Sequence, residues 1–260
     1  MIRHNRIKEG LKKGENYIGA FVKATDPAVV EVLALSGFDF IIIDNEHTVM
    51  DQETLTNLIR AADATQMLPT VRIRDGSDSL IRQVLDTGAM GIQIPMVNTA
   101  EEARAVVSSV KYAPAGTRGF AASQRSAAYG FMNAKEYSEL SNANTMTACY
   151  CETLEAVNNL KDIAAVDGLD IVFIGPYDLS QALGVIGEPN HPRVLAAIDD
   201  IIKIVRAEGK AVGTIASDAE HAINLMAKGV QYICLSSDLG MIAGMGKIFM
   251  GKIKNSAAKG

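Results

Sequence analysis

Residues 38–47 read FDFIIIDNEH. An apolar run with a β-branched centre stops at a cluster of polar side chains. A run this short, bounded this sharply, reads as a strand buried on both faces. With its strand portion at 38–44, the same pattern recurs in YIGAFVK (17–23), PTVRI (69–73), GIQIPMV (91–97), TMTACYC (145–151), DIVFIG (170–175), AVGTIA (211–216) and YICLSS (232–237). Amphipathic stretches such as DPAVVEVLALSG, DQETLTNLIRAADAT and TAEEARAVVSSV separate these runs. Several open on Asp or Thr and some close on Gly, as capped helices do. Strands alternating with helices predict a parallel sheet, and eight strands close a (β/α)8 TIM barrel. An open doubly wound sheet would want a glycine-rich loop after the first strand, and VKATDP is not one. The α/β barrel is expected to be a single domain over 1–260, with an extra helix at 3–14 across its bottom.

Length and composition agree with that reading. The chain has 260 residues, 48% of them hydrophobic, close to the roughly 250 typical of such barrels. A net charge of −5 with no basic stripe argues against nucleic acid, and 5% aromatic content without Trp argues against a base-stacking surface. No apolar run approaches the roughly 20 residues of a membrane helix, and the polar start MIRHNRIKEGLKKGENY is unlike a secretory signal. Cys149, Cys151 and Cys234 all fall in strand runs, which points to reduced thiols and a cytoplasmic location. Two stretches break the regular spacing, at 112–144 and 184–193. They are read as insertions that shape a substrate pocket.

In a parallel barrel every strand ends at one face, where chemistry is done. His47, Arg72, Glu152 and Asp178 each stand at or just past the end of a strand run. His47 is one of four histidines and sits among carboxylates, as a general base near neutral pH should. Arg72 offers paired donors that match a carboxylate. Glu152 and Asp178 end neighbouring strands, which lie about 4.8 Å apart, so both can reach one ion. Two carboxylates with waters and substrate oxygens suit Mg²⁺ or Mn²⁺; each alone would equally suit a helix N-terminus. Gly175 and Pro176 let backbone approach a ligand closely. Lys23 is the one strand-end lysine, and it reads as a solvated loop residue rather than a Schiff-base nucleophile. The combination suits metal-assisted work on a small keto acid.

Together, IIIDNEH, PTVRI, VLDTG, IPMV, YAPAGTRG, the CYCE strand end, FIGPYDLSQALG and GKAVGTIA resemble the HpcH/HpaI aldolase family, in order from about residue 5 to residue 250. The resemblance implies a class II pyruvate aldolase of the phosphoenolpyruvate/pyruvate barrel superfamily. It implies a divalent cation (Mg²⁺, Mn²⁺ or Co²⁺) between Glu152 and Asp178, and Arg72 stabilising a pyruvate enolate. Gly175 and Pro176 would line the pyruvate carboxylate. His47 would do acid/base work supported by Asp86, and Arg118 would lie near the substrate entrance. The implied partners are a small 2-oxo acid and an aldehyde. The implied substrates are 2-dehydro-3-deoxy sugar acids or 4-hydroxy-2-oxoheptanedioate, and the implied assembly is a homo-oligomer, a hexamer. The chain departs from the family pattern at Asn45, Tyr150 and Tyr177, where the pattern has Gly, Gln and a small residue. The two phenols are expected to line the pocket and bear on the choice of aldehyde. Basic residues of the 112–144 loop, Arg118, Arg125 and Lys135, are candidates to attract a diacid. The alternatives are an acyl-CoA lyase on the same barrel, or a barrel that only binds a keto acid or a metal.

Overall fold

A computed structural model describes residues 1–257. Eight parallel strands close in sequence order into one barrel, β1-β2-β3-β4-β5-β6-β7-β8. They are β1 (Tyr17–Val22), β2 (Phe40–Asn45), β3 (Leu68–Ile73), β4 (Gly91–Ile94), β5 (Met146–Cys151), β6 (Ile171–Ile174), β7 (Ala211–Ala216) and β8 (Tyr232–Ser237). The eight-stranded α/β barrel expected from sequence is the fold observed.

Each continuous apolar run divides by parity. In β2, Ile41 and Ile43 join the shell packed under the helices, while Phe40 and Ile42 fill the barrel interior. The same alternation holds in β5 (Cys149 and Cys151 outward, Ala148 and Tyr150 inward) and in β6 (Val172 and Ile174 outward, Ile171 and Phe173 inward). Aromatic rings make up much of the interior. Phe40 stacks on Tyr232 with centroids 3.7 Å apart, and Tyr150 on Phe173 at 4.5 Å. Gly19 makes room for this, since a Cβ there would run into the Phe40 ring. The three cysteines are free and buried, as expected.

The helix expected over 3–14 forms at Arg6–Lys12 and lies across the bottom of the barrel. Asn5 donates twice to Asn144, from its backbone amide to Oδ1 and from its side-chain Nδ2 to the carbonyl, and Lys8 donates to the Thr145 carbonyl and to Asp170. The strand expected at 91–97 ends at Ile94, because Pro95 has no N–H for the ladder and Met96 turns to φ 55°. The 112–144 stretch follows a helix rather than a strand. It runs from the end of helix Ala100–Val110 to the start of β5, and contains a 3₁₀ segment (Arg125–Gly130) and a helix (Ala134–Asn144). Within one chain it therefore belongs to the bottom face, opposite the strand ends. Only the 184–193 stretch lies at the top, between helices Pro176–Ala182 and Pro192–Ala207. Among the described residues no helix is long and apolar enough to cross a membrane.

Lys111 is buried in the bottom layer, and its Nζ donates to the carbonyls of Asn142 and Thr145. Burial, with Lys8 nearby, lowers its pKa from 10.5 to about 7. Between those values the unfolded chain holds the proton that the folded chain has lost, so stability rises with pH across that window. The cost is full below pH 7. Urea unfolding from pH 7 to 9.5 should show the wild type gaining on Lys111→Met by up to about 1.4 kcal/mol per pH unit. A pH-independent difference would mean that the amine stays charged.

Candidate active site

Parity selects the side chains that reach the top of the barrel interior. Along β1 the inward series runs Gly19, Phe21, Lys23. Along β2 it runs Phe40, Ile42, Asp44, along β3 Leu68, Thr70, Arg72, and along β5 Ala148, Tyr150, Glu152. These series converge on a cavity of about 270 Å³, whose lining includes Phe21, Lys23, His47, Arg72, Tyr150, Glu152, Gly175, Pro176, Tyr177 and Asp178.

Asp44 is fully buried and organises one side of the site. It accepts from Arg72 Nε at 3.2 Å and Nη2 at 2.9 Å, and from the backbone amides of Glu46 and His47. Burial would raise the Asp44 pKa, but the Arg72 contacts outweigh it and hold the carboxyl below its ordinary value. Arg72 Nη1 also lies 3.2 Å from Glu46, and its guanidinium packs over the Phe21 ring with a centroid distance of 4.8 Å. Arg72 is thus a buried, oriented fork rather than a surface ion-pair partner. Lys23 is drawn in as well. Its Nζ lies 3.3 Å from Asp44, and its backbone amide is held by the buried carboxylate of Asp238. The solvated-loop reading of Lys23 is corrected accordingly.

Facing these cations is a second group of carboxylates. Glu152 is 4% exposed, and its Oε1 accepts from the Met96 amide at 2.9 Å. The left-handed turn at Met96 follows the early end of β4 and accompanies this contact. A Cβ on Gly175 would collide with Glu152 Oε2, so glycine is what leaves the carboxylate its place. Burial, with Asp178 and Glu46 adding like charge, pushes the Glu152 pKa up to about 7. Burial raises Glu46 too, against the pull of Arg72. Asp178 stands exposed in the first turn of helix Pro176–Ala182. Among the described residues no three His, Cys, Asp or Glu side chains gather as a ready-made metal cage. The donor set nevertheless fits a hard divalent cation, because its ligands are oxygens, its charge is under-compensated, and a glycine keeps Glu152 Oε2 unobstructed.

The remaining expected residues divide. His47 lines the cavity with its side chain 58% exposed, and its Nε2 is 3.6 Å from Glu46. The carboxylate beside its ring is therefore Glu46, while Asp44 holds its backbone. Tyr150 floors the cavity, with its ring 5.7 Å from the Arg72 guanidinium, but its hydroxyl points down and donates to Gln93 Oε1 at 2.9 Å. Gln93 passes this chain on to Thr70 and Tyr232 inside the barrel. Tyr177 stands exposed at the rim. Asp86 and Arg118 are not brought to this cavity. Asp86 ends the helix that leads into β4 at the bottom of the barrel, and Arg118 Nη2 pairs with it at 2.7 Å. A single chain thus places both opposite the site, contrary to the expectation for Asp86 beside His47 and Arg118 at the entrance. Sequence reading undervalued Lys23, Glu46 and Gln93; strand alternation from Gly19 and Phe21 was the signal for Lys23.

The family model described as HpcH/HpaI aldolase/citrate lyase matches residues 17–244. A hydroxypyruvate/pyruvate aldolase of Pseudomonas aeruginosa is 36% identical over 97% of this chain and 94% of its own length. A 2-keto-3-deoxy-L-rhamnonate aldolase of Salmonella gallinarum is 39% identical over 90% of this chain and 87% of its own. Among solved structures, the citrate synthase SbnG superposes with a TM-score of 0.87 at 33% identity, covering 96% of this chain and 98% of that one. With most of its length matched by the family model and by relatives above 30% identity, the chain belongs to the HpcH/HpaI aldolase/citrate lyase family.

Proposed function

We propose that this protein is a divalent-metal-dependent aldolase that splits a 4-hydroxy-2-oxo acid into pyruvate and an aldehyde. The observation that carries this reading is the pairing of one buried, oriented guanidinium, Arg72, with two carboxylates, Glu152 and Asp178, across one small cavity. Its named relatives include aldolases acting on pyruvate and on a 2-keto-3-deoxy acid, which supports the same chemistry here. Glu152 and Asp178 would hold Mg²⁺, Mn²⁺ or Co²⁺. Once bound, such an ion draws electron density from the 2-oxo group.

The protein's own groups account for the rest. Arg72, fixed by Asp44 and Glu46, donates to the 2-oxo acid and meets the negative charge that grows on its oxygen. Gly175 and Pro176 bring the start of a helix against the substrate carboxylate. His47, directly or through water, takes the proton of the C4 hydroxyl. The C3–C4 bond then breaks, its electron pair passes into the enolate, and the C4 oxygen leaves as the aldehyde carbonyl. A proton returned to C3 completes pyruvate. The buried Tyr150 ring shields the floor of the site from water.

Asp86 and Arg118 can serve a cavity only across an interface between copies, so their assignment goes together with a homo-oligomer, which we propose as a hexamer. The C-terminal helix Asp238–Ala257 supports self-association. Its Ile242, Phe249 and Ile253 are each more than half exposed, a large apolar surface for one chain to leave to water. Three free, buried thiols support a cytoplasmic location.

The test needs no knowledge of the aldehyde. Metal-stripped protein incubated with pyruvate in D₂O should exchange the methyl protons only when Mg²⁺, Mn²⁺ or Co²⁺ is restored, as followed by proton NMR. No exchange with any of the three would remove enolate formation, and the proposed activity with it.

A further inference from the structure

A second cavity, of about 320 Å³, lies beside the first on the far side of Tyr177. It opens between the end of β7 and the helices Pro192–Ala207 and Ala219–Ala227. Pro176, Tyr177 and Ile215 line both cavities and so form the wall between them. Tyr177 is 61% exposed, so this wall is a side chain at the surface rather than packed core.

The chemistry of the two cavities differs. Leu195, Ile198 and Leu225 give the second an apolar wall, and Asn190, Ser217 and His221 give it a polar rim. Among the described residues no Lys, Arg, Asp or Glu lines it. His221 Nδ1 accepts from the Ser217 amide, so in the neutral ring the proton sits on Nε2, which is left to donate. In the first cavity each cation is already matched, Lys23 by Asp44 and Arg72 by Asp44 and Glu46. The basic residues of the 112–144 stretch are engaged too. Arg118 is paired with Asp86 and would bring that partner with it to a neighbouring copy's cavity, Arg125 pairs with Asp63, and Lys135 reaches toward Glu139.

We infer that the second cavity receives the aldehyde half of the substrate, that this aldehyde is uncharged with an apolar or hydroxylated chain, and that Tyr177 is the specificity-determining residue at its mouth. The inference rests on the aldolase reading above. Moving a carboxylate into a cavity without a cation strips its water and returns no opposite charge to offset that cost. A hydroxylated chain, in contrast, finds donors and acceptors along the rim.

The experiment measures aldol addition of pyruvate to two acceptors of equal length, butanal and succinic semialdehyde, with Mn²⁺ present. Wild-type protein should favour butanal at least tenfold in kcat/KM. Leu195→Arg places a cation in the cavity and should move that ratio at least tenfold toward the semialdehyde. Ser217→Arg, at an exposed loop position, should move it the same way and guards against misfolding of the first variant. Tyr177→Ala should raise KM for butanal more than it lowers kcat. A wild-type preference for the semialdehyde, or a ratio unmoved in both arginine variants, would overturn the inference. Pyruvate proton exchange by the wild type, run alongside, separates the two readings. If exchange occurs but the ratio does not shift, the acceptor site alone is wrong. If exchange is absent, the aldolase reading falls and takes the inference with it.

Discussion

Arg72→Lys should lower turnover by roughly 100- to 1,000-fold, the loss typical of removing one oriented donor from a developing anion, while the barrel stays folded. The native guanidinium is committed on two edges. Nε and Nη2 meet Asp44, and Nη1 meets Glu46, with the Phe21 ring beneath. That anchoring fixes the plane from which its donors address the substrate. An ammonium is a point charge on a flexible stem, so it can neutralise Asp44 or address the substrate but cannot do both in one geometry. Stability should fall less. Asp44 keeps its two backbone amides and Lys23, so the loss is of the order of a charge-assisted hydrogen bond, about 1.5–3 kcal/mol. Arg72→Met should cost more, about 3–5 kcal/mol, because it strips the buried carboxylate of its main partner. Steady-state kinetics beside thermal unfolding would check both. An Arg72→Lys enzyme with near-normal kcat would mean that the fork does not meet the reacting oxygen.

Much of the site was legible because barrel geometry turns strand endings into neighbours. Arg72, Glu152, Gly175 and Asp178 were found from where apolar runs stop, and the closed barrel gathers all four at one cavity. The rest is what strand endings do not encode. Asp86 and Arg118 lie in segments that resemble a catalytic family motif, yet a helix end and the loop before β5 both belong to the bottom of the chain. Each connection runs away from the strand ends, so within one chain neither residue reaches the cavity, and a role at the site goes through the interface proposed above. Lys23 escapes such a reading because an isolated lysine after a strand is usually solvated. Its capture by Asp44 and Asp238 depends on residues 21 and 215 positions away in sequence. The phenol of Tyr150 is expected to line the pocket, and the direction of its hydroxyl is not readable from the strand. In the structure its hydroxyl is spent on Gln93 inside the barrel, so only the ring faces the substrate. Burial pushes that phenol well above its ordinary pKa, which keeps it a hydrogen-bond donor.

Glu152→Gln should reverse sign between two conditions, and that reversal is its most telling property. In metal-free protein the native carboxylate is a liability. Its pKa is near 7, raised by burial and by Asp178 and Glu46. A folded pKa above the unfolded one means that the folded state holds the extra proton, so stability falls as pH rises from about 4.5 to about 7 and stays low above it. Glutamine removes that charge and can keep the Met96 amide as donor. At pH 8 and without metal, the variant should therefore be more stable than wild type, on the order of 2–3 kcal/mol. At pH 4 the two should be nearly equal. Adding Mn²⁺ should invert the order, since the ion stabilises the state that binds it and the variant has lost a charged ligand. Its Mn²⁺ affinity should drop by more than about 100-fold, beyond the upper end of what losing an outer-shell partner costs. Asp178→Asn should lose affinity too. It should gain little stability in the metal-free state, because Asp178 is exposed and water already screens it. Calorimetric unfolding at pH 4 and pH 8, with and without Mn²⁺, reads all of this at once. If Mn²⁺ stabilises Glu152→Gln as much as wild type, Glu152 is not a ligand. If the metal-free variant is no more stable at pH 8, the carboxylate is not under the strain that burial among like charges implies.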